Sequence, residues 1–183
     1  MVSVRDARPA DAAEVAAVHV RAWQAAYRGL LADDYLDALR PADRAPRYTF
    51  AASDADAPRT LLAVEDGAIL GFATIGRSRD ADAKAAGELY ALYVDPLHWR
   101  SGVGRVLMAH TYAEFASLGV EEAVLWVLRG NEAAVRFYSA DGWHADGSRR
   151  REDVWGVAVE VRRYRRELFP GRASEAARRE RAS

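Results

Sequence analysis

The most constraining feature of this sequence is a succession near its middle. The apolar run Glu88-Leu-Tyr-Ala-Leu-Tyr-Val94 stops at Asp95-Pro96, and the turn Trp99-Arg-Ser-Gly-Val-Gly-Arg105 then leads into an apolar helix to about Leu118. A strand with so few polar residues is one buried on both faces, at the centre of a sheet. A helix that starts on glycines leaves its first amides unpaired at the positive end of its dipole. In Arg100-Ser-Gly-Val-Gly-Arg105 those amides can cradle an anion and two arginines add charge, so a pyrophosphate would fit; a merely structural tight turn is the competing reading. Two familiar phosphate motifs are excluded. There is no Gly-x-x-x-x-Gly-Lys, and Leu107 stands where Gly-x-Gly-x-x-Gly needs its third glycine.

The flanking sequence supplies the other elements. Residues 2–5 alternate apolar and polar and predict a first strand; Pro9 then opens a helix whose apolar residues, among them Val15, Val18, Ala22, Trp23 and Tyr27, recur at three- and four-residue steps up to Gly29. Asp33-Asp34 predicts the cap of a short helix through Leu39, and Pro41 opens a more polar helical segment to about Ala52. The period then changes to strands at 60–65 and 69–77, joined by Asp66-Gly67, a hairpin turn because both residues tolerate positive φ. A polar loop covers 78–86. After the central helix come a second central strand at 123–128, a short helix at 131–140 that Gly142 can end, and a strand pair, 143–154 with 157–162, the latter reading as an outer strand. Three strands precede the glycine turn, two of them in a hairpin, which argues against a doubly wound nucleotide fold. Residues 1–170 read as a single domain and 171–183 as a polar Arg/Ala-rich tail, frayed for want of apolar residues other than alanine.

Composition removes several function classes. Cysteine is absent from the 183 residues, so disulfides, thiolate nucleophiles and cysteine-ligated metals are out. A net charge of -1 gives no general attraction to nucleic acid or anionic membrane. The longest wholly apolar runs, such as 123–128, fall far short of the roughly 20 residues that span a bilayer. A cytoplasmic protein with neither nucleic-acid nor membrane partner is expected. His19, His98, His110 and His144 lack metal-ligand spacing and read as structural or surface residues, with no metal implied. Arg149-Arg-Arg151 and 162–166 form a local basic cluster that reads as a solvated face, with an anionic acceptor or the 3'-phosphate of a coenzyme as the alternative.

Three segments together resemble the GCN5-related N-acetyltransferase family. Glu88-Leu-Tyr-Ala-Leu-Tyr-Val-Asp-Pro with its glycine turn is similar to the family's fourth strand and Gln/Arg-x-x-Gly-x-Gly/Ala motif. Asn131-Glu-Ala-Ala-Val-Arg-Phe-Tyr-Ser-Ala-Asp-Gly-Trp143 resembles its later Asn…Phe-Tyr…Gly-Phe motif, and His19-Val-Arg-Ala-Trp-Gln-Ala-Ala-Tyr-Arg-Gly29 its first-helix segment. The resemblance covers about residues 2–168 and departs at Trp99, which stands where the family has Gln or Arg. It implies an α/β (α+β) fold: a bent, mixed, mostly antiparallel sheet of about seven strands flanked by about four helices. Acetyl-coenzyme A would lie where the fourth and fifth strands splay, its pyrophosphate on Arg100, Ser101, Gly102, Val103, Gly104 and Arg105, and its pantetheine arm on Leu92, Tyr93 and Val94 beside a strand bulge.

The resemblance also assigns roles in transfer of an acetyl group to a primary amine. An alkylamine, with a pKa of about 10, is mostly protonated at neutral pH, so a proton acceptor helps. By resemblance Glu88 fits that role, acting through water, with a solvated strand-end glutamate as the alternative. The departing thiolate needs a proton that Tyr138 can donate, a core tyrosine being the alternative. Asn131, the only asparagine, would contact the cofactor, a role compatible with a plain helix N-cap. Trp23 and Tyr27, four residues apart, would line the acceptor pocket or simply pack in the core. A catalytically inactive acyl-coenzyme A sensor or scaffold is the alternative function. A homodimer is common in the family, although no residue here establishes one.

Overall fold

A computed structural model describes residues 1–50 and 57–169. Its elements are β1 (Ser3–Asp6), α1 (Ala12–Ala26), α2 (Asp33–Ala38), α3 (Pro41–Arg44), β2 (Arg59–Glu65), β3 (Ala68–Arg77), β4 (Gly87–Val94), α4 (Val103–Ser117), β5 (Glu122–Leu128), α5 (Glu132–Ala140), β6 (His144–Val154) and β7 (Val157–Glu167). The strands form one sheet in the order β1-β2-β3-β4-β5-β7-β6. All pairings are antiparallel except β4 with β5.

The sheet is covered on both faces, as its patterning requires. On one face α1 sets Val15 and Val18 against Leu62 and Phe72. On the other, α4 packs Leu107 and Phe115 among Leu89, Leu125 and Ile75. Each such side chain contributes about 1.5–3 kcal/mol by leaving water. The Asp66-Gly67 turn has positive φ at both residues, as the hairpin demands.

Three expectations need correction. The polar helical segment opened by Pro41 ends early, as α3 followed by a single 3-10 turn, Ala45–Arg47. Pro46 is the physical reason, since it has no N–H with which to continue the helical hydrogen-bond ladder; Ala52 lies outside the described residues, as does the tail at 171–183. Strand β7 is internal and β6 is the edge, because Val161 to Glu167 of β7 pair with the whole of β5. Finally, β4 is buried on both faces only in its first half, Gly87–Leu89 being buried and the rest half-buried.

That half-exposure marks the opening of a cleft. β4 and β5 pair only through Gly87–Leu89 and Ala123–Leu125, after which β5 continues along β7 and β4 along β3 alone. The β3–β4 register shifts where Thr74 faces Ala91 and Ile75 faces Leu89, so Tyr90 is an extra, bulged residue at the start of the splay.

Candidate active site

The turn before α4 is built from backbone. Arg100 has φ 62° and Gly102 φ 92°, two left-handed residues that swing the chain into the helix. Val106 is the first residue of the helix whose amide finds a carbonyl, that of Gly102 at 3.1 Å, which leaves the amides of Val103, Gly104 and Arg105 without partners among the described residues. A Cβ on Gly102 would meet no atom within 4 Å, so the space over the turn is open, whereas one on Gly104 would press on the Phe137 ring at 3.2 Å. The two glycines therefore do different work: Gly102 supplies the conformation and Gly104 lets α4 approach α5. Arg100 and Arg105 form no ion pair among the described residues. Open amides, free guanidinium groups and a cleft beside them fit an anionic, phosphate-bearing ligand.

Trp99, the departure from the family pattern, has a role of its own. Its indole N–H donates to the Val94 carbonyl at 2.8 Å, although the ring is 46% exposed. The Asp95 amide donates to the Leu70 carbonyl at 2.8 Å. Because an antiparallel ladder alternates, this commits the backbone of Tyr93 to Phe72 and turns that of Leu92 and Val94 toward the cleft. Of the three residues expected on a pantetheine arm, Leu92 and Val94 thus present main-chain groups there, and Trp99 already holds the Val94 carbonyl. Tyr93 instead presents its side chain to the opposite face, stacked on His19 at 4.4 Å.

Glu88, Trp23, Tyr27 and Tyr93 line one cavity of about 120 Å³ on that face. Glu88 is 1% exposed, so it is no solvated strand end. Arg79 holds it, with Nη2 donating to Oε1 at 2.6 Å and its amide donating to Oε2 at 2.9 Å. Trp23 serves both readings, lining the cavity while packing with Val20, Leu36 and Leu39. Burial pushes the Tyr27 phenol far above its usual range, and Tyr93 and Tyr138 add to the rise.

Tyr138 is 8% exposed and packs edge-on to Phe137 and Trp143. Burial raises its phenol far above 10, with Tyr93 and Tyr112 reinforcing the shift, so its proton is retained at any working pH. Asn131 caps α5, its Oδ1 accepting from the Ala134 amide at 3.1 Å. Its side-chain amide has no partner among the described residues.

Sequence reasoning missed the far wall. The basic cluster is not simply a solvated face: Arg163 is 4% exposed and donates to Asp80, Asp82 and Asp146 at 3.1, 2.7 and 2.7 Å. Arg163 holds Asp82 down at about 2. Arg150 links this network to the cavity, bonding Asp80 through Nη1 at 2.7 Å and Glu152 through Nε at 3.0 Å while lying over the Trp126 ring. The carboxylates of the 78–86 loop were the available signal, but only the fold brings them to β6 and β7. At the β6–β7 tip, Trp155 reaches across to stack on Trp23, a cavity-lining residue, at 4.1 Å beneath Arg44.

Among the described residues there is no cluster of three or more His, Cys, Asp or Glu able to hold a metal, and no helix long and apolar enough to cross a membrane. A sequence model of the acetyltransferase (GNAT) family matches residues 20–143. An uncharacterized N-acetyltransferase of Bacillus subtilis, YuaI, is 31% identical over 147 residues, which are 76% of this chain and 79% of that one. An uncharacterized N-acetyltransferase of Mycobacterium tuberculosis is 32% identical over 140 residues, 76% of this chain and 86% of that one. In fold, the chain is similar to PaiA N-acetyltransferase from Thermoplasma acidophilum, solved with coenzyme A, at a TM-score of 0.70 and 19% identity over 91% of this chain and 99% of that one. A seven-stranded sheet splayed between β4 and β5, an open glycine turn at the splay and matches over most of the sequence lead to one assignment: this chain belongs to the acetyltransferase (GNAT) family.

Proposed function

We infer that the protein is an acetyl-coenzyme A-dependent N-acetyltransferase that transfers acetyl to a primary amine of a small molecule or peptide by direct attack. The observation that carries this reading is the cleft between β4 and β5, which opens on the unpartnered amides of Val103, Gly104 and Arg105. Coenzyme A in the PaiA N-acetyltransferase structure, a chain of the same fold, supports it. Arg100, Ser101 and Gly102 through Arg105 would hold the pyrophosphate, the cleft-facing backbone of Leu92 and Val94 the pantetheine arm, and the side-chain amide of Asn131 a further polar group of the coenzyme. Action in the cytoplasm belongs to the same proposal.

Acetyl-coenzyme A supplies a thioester carbon open to attack. Glu88 draws a proton from the incoming ammonium through water, using lone pairs that Arg79 leaves open. Tyr138 starts protonated and gives that proton to the sulfur as the C–S bond breaks, and its phenolate takes up the second proton that the nitrogen loses on becoming an amide. The products are an N-acetyl amide, free thiol and one proton released to solvent. Trp23, Tyr27 and the Tyr93 ring form the apolar seat of the acceptor. The test is thiol release from acetyl-coenzyme A on addition of primary amines. Tyr138→Phe should lower kcat roughly 100-fold and leave the KM for acetyl-coenzyme A unchanged; unchanged kcat, with chemistry shown to limit the rate, removes the acid role.

A further inference from the structure

The acceptor cavity holds two arginine–carboxylate pairs, and they differ. In the first, Arg79 engages both oxygens of the buried Glu88. In the second, Arg150 places Nε and Nη2 on the same oxygen of Glu152, Oε2, at 3.0 and 2.9 Å, and Oε1 has no partner among the described residues. Glu152 is 31% exposed and lines the cavity together with Tyr93 and Glu88. Its carboxylate is thus anchored through one oxygen and open through the other.

The wall behind it is over-supplied with negative charge. Arg150, Arg163 and Arg165 are ion-paired with Asp80, Asp82, Asp146, Glu122 and Glu152, three cations against five anions among the described residues. Arg150 is itself fixed by Asp80 and by the Trp126 ring, so Glu152 is held by a side chain that cannot easily turn away. The cationic side chains lining the cavity, Arg79 and Arg150, are both neutralised by these pairs. The cavity therefore offers a carboxylate oxygen to a cation and no unpaired cation to an anion.

We propose that Glu152 selects the acceptor: its open Oε1 binds the ammonium of an amine that carries no carboxylate beside the nitrogen, while the aromatic side chains of Trp23, Tyr27 and Tyr93 seat an apolar body. The proposal rests on the reading of this cavity as the acceptor side of an N-acetyltransferase. Glu152 is the docking point on this account, and the proton relay stays with Glu88.

The test compares 2-phenylethylamine with phenylalanine, which differ only by a carboxylate next to the amine, binding to the full-length protein by calorimetry in the presence of coenzyme A. Wild type should bind 2-phenylethylamine at least about tenfold more tightly than phenylalanine. Glu152→Gln should weaken 2-phenylethylamine roughly tenfold or more and leave coenzyme A binding unchanged, and Glu152→Asp, which keeps the charge, should retain the preference. Equal binding of the two amines by wild type, no binding of either, or unchanged affinity in Glu152→Gln would overturn the proposal. If wild type discriminates as expected but releases no thiol from acetyl-coenzyme A with 2-phenylethylamine, the transfer reading fails for that amine and the Glu152 assignment stands.

Discussion

The two sides of the cleft are made of different material. The turn at 100–105 is main chain, set by two left-handed residues and left open by the arithmetic of a helix end. The acceptor wall is side chain, set by ion pairs that join the 78–86 loop to β6 and β7 across 70 to 83 residues of sequence. A backbone site depends on local geometry and tolerates change in the residues around it. A side-chain site depends on partners brought together only by the finished fold, so it can be rebuilt for another acceptor while the first stays as it is.

The largest effect that would sharpen this contrast is expected at Arg163. Removing it as Arg163→Ala leaves the largely buried Asp80 with Arg150 alone and Asp146 with only the longer contact to Arg165, and should cost about 1–3 kcal/mol in denaturant unfolding. Acceptor binding should suffer with it, whereas the 100–105 turn, which shares no contact with Arg163, should still bind coenzyme in the folded fraction. A loss of under about 1 kcal/mol would show that the network does not hold the wall together.

A smaller effect is expected from His19, which lies behind the acceptor wall, stacked on Tyr93 and hydrogen-bonded to Tyr48. Burial, with Arg44 adding to it, holds the imidazole well below its usual 6.5. The folded state therefore binds this proton less readily than the unfolded chain. Stability from His19 is fully present above about pH 6.5 and is lost as pH falls below it, by up to about 1.4 kcal/mol per pH unit. Unfolding free energies of wild type and His19→Gln across pH 5 to 8 should differ in slope on the acid side only. Parallel curves would mean that His19 is not held neutral.

What was legible in the sequence follows the same division. Glycine spacing and the Asn131 and Tyr138 motif identified the turn and α5, because a helix end is specified by residues a few positions apart. The Asp66-Gly67 hairpin was legible for the same reason. The burial of Glu88 was not, since a glutamate at a strand end is ordinarily solvated and only the approach of Arg79 from the loop makes its burial tolerable. Nor was the inward turn of Arg163 legible, because β7 alternates inward valines with polar residues until Val161 and then places an arginine at the next inward position. The internal place of β7 was hidden by those same outward polar residues.

The central claim is that the cofactor site is the backbone turn before α4, and titration calorimetry of acetyl-coenzyme A into wild type and Gly102→Val tests it most directly. At φ 92° a β-branched residue costs about 1–2 kcal/mol of strain, which should pull the turn out of its binding conformation. Saturable binding by wild type, competed by coenzyme A and weakened at least about tenfold in the variant, is the result the account predicts. Equal affinity in the two proteins, or no binding by wild type at millimolar ligand, would contradict it.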